Sequence, residues 1–169
     1  MSRYWVRFDM WINAGLFQVG WLVCVLQRDF LAVLVTGLLL LTHVLFIRRD
    51  KQEYPVIGLV ALWGLLQDTL LMQLGVFRIE GSDLPPPWLL AIWLLFGTTL
   101  NHSLAWLRLR PLWALVAGAL TGPLSYLAGQ RLGALELTLS RLPLLSLAWA
   151  IALPSLLWAS NRIMWEQTS

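Results

Sequence analysis

One carboxyl group lies deep inside an apolar stretch of the sequence. Asp68 belongs to the run WGLLQDT at 63–69, about 20 Å along a helix that begins near Tyr54. Gly64, Gln67, Asp68 and Leu71 share one helical face, so the carboxyl is expected to point into the protein. An acid in apolar surroundings is kept where it handles a proton or where it is hydrogen-bonded to a neighbouring helix. The sequence leaves both roles open.

A second polar stripe follows in the next apolar segment. Thr98, Asn101 and His102 recur at helical spacing, so they are expected to share a face. By rise per residue Thr98 lies level with Asp68, whereas His102 lies about two turns farther along. The spacing therefore predicts a ladder from Asp68 through Thr98 and Asn101, or through a water, rather than a direct pair of Asp68 with His102.

The two histidines of the chain are predicted at similar depth. His43 and His102 could share a proton or a metal ion, because imidazole nitrogen is a common metal ligand. No third ligand stands beside either of them in the sequence, and the single cysteine, Cys24, leaves no thiol cluster. The sequence therefore predicts no metal site and no cofactor.

Small residues recur in the fifth apolar segment. Gly118 with Gly122, and Gly129 with Gly133, form two small-xxx-small pairs. Such pairs let a neighbouring backbone approach closely. Close packing is the expected role of both pairs, either within the chain or against a partner.

A proline interrupts the same segment. Pro123 removes one helical hydrogen bond and leaves the carbonyl of Ala119 without its usual partner. The hydroxyls of Ser125 and Tyr126 follow closely, so a polar pocket is predicted near the depth of Asp68. The residues predicted to form this polar cluster are Asn13, Gln18, Gln67, Asp68, Thr98, Asn101, His102, Ser125 and Tyr126.

The elements that hold these residues follow from composition. Hydrophobic residues make up 59% and charged residues 12% of the chain, whereas roughly a quarter of residues are charged in soluble domains. The net charge of +3 comes from basic residues that are scattered between apolar runs. Nucleic-acid-binding proteins instead cluster their basic residues, so nucleic-acid binding is not expected. We expect an all-α, polytopic transmembrane helix bundle of about six helices with short loops, forming a single domain over 1–169.

Six apolar segments are long enough to cross about 30 Å of hydrocarbon. The first of these segments follows Arg3 and Arg7 and therefore imitates a secretory signal. No small-x-small cleavage site follows it, so it is interpreted as a retained first helix. The connections are short, so helices that follow each other are expected to be antiparallel neighbours. The predicted helices are 8–27, 30–47, 54–76, 88–107, 111–129 and 142–160.

Basic residues predict the orientation. Cytoplasmic loops of membrane proteins are enriched in lysine and arginine. With the amino terminus inside, eight of the twelve basic residues fall on the cytoplasmic side, and both termini are cytoplasmic. These eight are Arg3, Arg7, Arg48, Arg49, Lys51, Arg108, Arg110 and Arg162.

Several runs together resemble a known family. They are GPLSYLAG at 122–129, RLGA at 131–134, WLLF at 93–96, LNHSL at 100–104 and the stretch 64–68. They resemble the bacterial inner-membrane proteins of domain-of-unknown-function family 2878 over nearly the whole chain. The resemblance implies a small polytopic protein without a settled activity. It also implies a lipid or envelope role, because relatives are often encoded beside enzymes that modify fatty-acyl chains. It carries over no catalytic residue.

Three functions remain open from the sequence. The preferred one is a membrane-embedded enzyme or accessory factor that acts on membrane lipids through the polar pocket. The second is a small proton-coupled transporter, against which the absence of a recognisable inverted repeat counts. The third is a structural or assembly subunit whose glycine faces dock another membrane protein or a second copy. No nucleophile motif or phosphate loop is present, so the sequence leaves enzymatic activity undecided.

Overall fold

Six α-helices make up most of the part of the chain that the structure describes. The structure, a computed structural model, describes residues 3–48 and 50–165, with side chains at 9–48 and 50–164. Arg49 and the side chains of Arg3 and Arg7, which contribute to the predicted orientation, lie outside the described residues. The helices are α1 (Arg3–Gln27), α2 (Phe30–Thr42), α3 (Glu53–Gln73), α4 (Pro87–Thr99), α5 (Pro111–Arg131) and α6 (Leu142–Trp165). The predicted all-α bundle is confirmed.

The bundle has the outer surface of a membrane protein. Five described helical segments are long and apolar enough to cross a membrane, and α4 is a shorter apolar helix. Leucines such as Leu38, Leu66 and Leu120 are more than half exposed, whereas Asp68 and Asn13 are buried. Apolar side chains outside and polar ones inside are the distribution that lipid surroundings favour.

The fourth helix is shorter than predicted. It ends at Thr99, so the prediction of one continuous helix over 88–107 is wrong. The hydroxyls of Thr98 and Thr99 donate to the carbonyls of Leu95 and Phe96, and such side-chain bonds compete with helical hydrogen bonds. The chain then continues through turns into a 3₁₀ turn at Ala105–Leu107.

The short helix α4 is the centre of the bundle. It contacts α1, α2 and α3, while α5 packs along α6. Its buried residues include Trp88, Ala91, Trp93 and Leu95, which do not lie on a single stripe. A helix that is apolar all round is expected to be enclosed by other elements. Most of α4, with His102 in the turn that follows it, therefore lies in the interior of the bundle.

Two glycines end helices at the same side of the bundle. Gly75 follows α3 and Gly133 follows α5, both with positive φ, a conformation that glycine adopts without steric cost. Strands β1 (Phe77–Arg78) and β2 (Glu136–Leu137) then pair antiparallel. The prediction that Gly133 forms a helical packing pair with Gly129 is wrong, because Gly133 lies beyond the end of α5.

A π turn links α2 to the loop before α3. It spans His43–Ile47, and the N–H of Arg48 donates to the carbonyl of His43 over 2.7 Å. π turns are rare in proteins as a whole, and those that do occur are often found at functional sites. Here the turn begins at one of the two histidines of the chain.

Candidate functional site

Asp68 is the centre of a hydrogen-bonded group that joins three helices. Its side chain on α3 is fully buried. The Trp93 Nε1–H on α4 donates to Asp68 Oδ2 over 2.7 Å, and the Tyr126 hydroxyl on α5 donates to Asp68 Oδ1. Both carboxyl oxygens therefore have a donor. One indole N–H and one phenol O–H thus satisfy the requirement that a buried acid be hydrogen-bonded.

The shape of α3 allows Trp93 to reach Asp68. Gly64 lies one turn before Asp68, and a Cβ at Gly64 would overlap the Trp93 ring. The Trp93 ring in turn stacks on Trp149 of α6, with centroids 4.9 Å apart and planes inclined by 10°. A glycine is therefore required at this position for the indole to lie against α3.

The first glycine pair of α5 packs inside the chain. A Cβ at Gly118 would overlap the carbonyl oxygen of Trp149, and a Cβ at Gly122 would overlap the Trp149 ring. The small-xxx-small face therefore receives α6. Pro123 is buried within α5, and the helix continues past it to Arg131.

A cavity of about 440 Å³ lies between α1, α4, α5 and α6. Trp21, Trp88, Trp93, Phe96 and Trp149 contribute aromatic side chains to its wall. The Tyr126 ring also lines it, so the hydrogen-bonded group around Asp68 forms part of its wall. Cavities of roughly 300–1,000 Å³ with apolar walls are typical ligand sites.

Four uncharged polar groups reach this cavity. Gln18 lines it from an exposed position, and Ser125 lines it while accepting a hydrogen bond from Trp21 Nε1–H over 3.0 Å. Thr121 lines it as well but donates its hydroxyl to the carbonyl of Ala117. The Trp149 indole N–H is buried next to the Tyr126 hydroxyl but makes no hydrogen bond of good geometry to it or to any other described residue.

The other residues of the predicted cluster form separate groups. Asn13 donates to the Thr98 hydroxyl over 3.1 Å and accepts from the Ser103 hydroxyl over 2.8 Å. Asn101 instead accepts from Ser160 over 2.8 Å. Among the described residues the hydrogen bonds of Asp68 go to Trp93 and Tyr126 and none joins it to Thr98, so the direct ladder through Thr98 and Asn101 is absent there, and a link through a water stays a prediction.

Two further polar side chains lie away from Asp68. Gln67 accepts from Trp63 Nε1–H over 3.0 Å, one turn earlier on the same helix, so its amide does not contact the carboxyl of Asp68. Arg108, in the connection between α4 and α5, donates to Asn101. Partial burial removes water from the Arg108 guanidinium and lowers its pKa, because desolvation disfavours the charged form.

The two histidines meet at a carboxylate that sequence reasoning missed. His43 Nε2 lies 3.0 Å and His102 Nε2 lies 2.9 Å from the same atom, Glu53 Oε2. All three side chains are buried. Glu53 is the first residue of α3, in a polar stretch that the sequence assigns to a loop. The signal that could have found it is its position at the very start of an apolar helix, close to the predicted depth of both histidines.

The fold and its interior define an α-helical polytopic membrane protein whose mainly apolar core encloses a few hydrogen-bonded polar groups. The family model described as "Protein of unknown function (DUF2878)" matches residues 10–155. This match covers most of the chain, and the chain therefore belongs to that family, as the resemblance predicts. No curated protein and no solved structure is similar enough to count as a match.

Proposed function

We propose that this protein binds the acyl chain of a membrane lipid in the cavity between α1, α4, α5 and α6, and that its role concerns membrane lipids or the cell envelope. The observation that carries the proposal is the cavity itself. Its wall is mostly aromatic and aliphatic, and Gln18 and Leu124, which line it, are exposed on the outer surface of the bundle. A lipid chain in the bilayer therefore has direct access to it.

The polar groups of the cavity favour an uncharged part of a lipid. The described side chains that line it carry no formal charge, so an anionic headgroup would not be neutralised there. The amide of Gln18, the hydroxyl of Ser125 and the indole N–H of Trp149 are hydrogen-bond donors. Such donors can bind the carbonyl oxygen of an ester or of a carboxylic acid. A fatty-acyl lipid combines this carbonyl with a long apolar chain.

Two alternatives are less well supported by the geometry. A proton-coupled carrier needs an acid that is exposed to its transport route, but both oxygens of Asp68 are hydrogen-bonded and the residue is fully buried. An assembly subunit would use the glycine face of α5 for a partner, but Gly118 and Gly122 already contact α6. Neither the Asp68 group nor the glycine face is therefore open to a ligand or partner, whereas the cavity is.

A variant that fills the cavity tests the proposal. Ala128 lines the cavity on α5, and Ala128→Phe places a ring in the space that an acyl chain would occupy. We expect the wild-type protein, purified in detergent and washed extensively, to retain about one acyl lipid per chain. Ala128→Phe should retain on the order of tenfold less, which corresponds to about 1.4 kcal/mol of binding free energy. Lipid extraction followed by mass spectrometry measures the ratio.

The matched control is Ala119→Phe on the same helix. Ala119 is partly buried and does not line the cavity, so this variant should retain lipid as the wild type does. Equal retention by both variants would remove the acyl-binding proposal. In cells, a deletion strain should show an altered fatty-acid or phospholipid profile that the wild-type gene and Ala119→Phe restore and Ala128→Phe does not. An unchanged profile under envelope stress would also count against a lipid role.

The orientation belongs to the same proposal. We place the chain in the bacterial inner membrane with six passes and both termini in the cytoplasm, which puts the loop before α4 outside and the loop before α3 inside. Asp83 and Lys51 are exposed in these two loops, and Cys24 is buried. A membrane-impermeant maleimide should label Asp83→Cys in intact spheroplasts, and should label Lys51→Cys only after the membrane is opened. The reverse pattern would invert the orientation.

A further inference from the structure

A second group of chemically active residues lies away from the lipid cavity. His43 begins the π turn after α2, Glu53 begins α3, and His102 lies in the turn after α4. The exposed fractions of these residues are 2%, 2% and 6%. Three separate parts of the chain therefore bring two imidazoles and one carboxylate to the same buried point.

The distances within this group suit a metal ion. Ligand atoms bound at about 2.0–2.2 Å from one ion are separated from each other by about 2.9–3.5 Å. Each Nε2 lies 2.9 or 3.0 Å from Glu53 Oε2, and the candidate ligand atoms of the three residues all lie within 4.8 Å of one another. The two imidazole rings meet edge to face, with centroids 5.0 Å apart, so their nitrogen atoms converge without stacking of the rings.

The second nitrogen of each ring can take the proton that a cation bound at Nε2 would displace. The Nδ1 atoms of His43 and His102 are buried and have no hydrogen-bond partner among the described residues. Without a cation, a hydrogen bond between Nε2 and the Glu53 carboxylate requires the proton on Nε2, so coordination of a cation requires that proton to leave Nε2. When the proton lies on Nδ1, Nε2 offers its lone pair toward Glu53 and can coordinate a cation. The same group can thus exist as a proton-sharing cluster or as a metal site.

The geometry points to a site for one divalent transition-metal ion, held by His43 Nε2, His102 Nε2 and a Glu53 carboxylate oxygen. Two imidazoles and one carboxylate suit zinc or ferrous iron, and three protein ligands leave at least one coordination position open. Magnesium and calcium prefer sets made of oxygen alone. The sequence predicts no metal site because no third ligand stands beside either histidine, and Glu53 supplies that ligand through the fold.

Metal binding by the purified protein tests this inference. The chain should carry an affinity tag without histidine, so that the tag contributes no ligand. We expect the wild-type protein in detergent to bind one equivalent of Zn²⁺ or, anaerobically, Fe²⁺. It should also give visible absorption with Co²⁺ as a spectroscopic probe. Glu53→Gln should weaken binding by more than the roughly 10–100-fold that the loss of an outer-shell partner costs.

Two further variants make the result independent of misfolding. The control Glu136→Gln removes an exposed carboxylate and should bind as the wild type does. His102→Cys keeps a ligand atom at the site, and its Co²⁺ complex should gain a sulfur-to-cobalt charge-transfer band. Absence of stoichiometric metal from the folded wild type, equal affinity of Glu53→Gln and Glu136→Gln, or a Co²⁺ complex of His102→Cys without that band would each overturn the metal site. None of these measurements depends on lipid binding.

Discussion

Gly118→Leu is expected to destabilise the folded bundle by about 3 kcal/mol, the upper part of the usual range for overpacking. The first added carbon would overlap the carbonyl oxygen of Trp149, which belongs to the backbone of α6. A helix backbone cannot move aside as a side-chain end does, so α5 and α6 must separate along their interface. Reversible unfolding in mixed micelles measures the change in free energy.

Gly58→Leu is the matched control for this substitution. Gly58 also lies within a helix, α3, but a Cβ there would meet nothing within 4 Å. Leucine has the higher helix propensity by roughly 0.5–1 kcal/mol, so this variant should be as stable as the wild type or slightly more so. If Gly118→Leu kept its stability and instead dissociated an oligomer, the face would be a subunit interface and the packing of α5 on α6 would be wrong.

Hydrophobic segments could be located from the sequence because a helix that crosses the lipid needs about 20 consecutive, mostly apolar residues. The six helices among the residues at 3–48 and 50–165 correspond to the six predicted segments. The end of α4 could not be predicted, since the hydroxyls of Thr98 and Thr99 decide it by bonding locally to backbone carbonyls. The strands at 77–78 and 136–137 are two residues long, and a pattern that short contains no detectable period.

The contacts of Asp68 show the same limit for the candidate site. Helical spacing is sufficient to predict that its carboxyl faces inward, because the lipid-facing residues occupy the remaining directions. Its partners depend on which helices are neighbours and how they are rotated. Trp93 looks apolar in the sequence, but its indole N–H reaches Asp68 only because Gly64 leaves room for the ring.

Glu53 illustrates a different cause of failure. A charged residue at the end of a basic stretch is ordinarily solvated, so composition assigns it to the loop. Its burial results from tertiary packing, because α4 runs back along α3 and the turn after it places His102 at the level where α3 begins. Which parts of the chain pack together in this way cannot be read from local sequence patterns. Depth along the helices predicts that His43 and His102 lie close together, but Glu53 stands outside the apolar segments for which such a depth can be counted.

Asp68→Leu is expected to cost about 2–6 kcal/mol of stability. The substitution leaves the Trp93 N–H and the Tyr126 hydroxyl buried without an acceptor, and each unsatisfied donor costs about 1–3 kcal/mol. The three helices that carry this group would lose their shared polar contact. Unfolding in mixed micelles gives the free energy. Asp83→Leu, at an exposed aspartate, should change it by less than about 0.5 kcal/mol.

The double variant Asp68→Leu with Tyr126→Phe separates hydrogen bonding from packing. Removing both partners of a buried hydrogen bond costs less than removing one, because no donor is left unpaired. The double variant should therefore regain about 1–3 kcal/mol relative to Asp68→Leu. Asp68→Asn keeps one acceptor oxygen, so a structural Asp68 tolerates it with a smaller loss. An Asp68→Asn protein that folds normally yet loses pH-coupled transport in proteoliposomes would instead require Asp68 as an ionisable group, and would favour the carrier over the lipid-binding function.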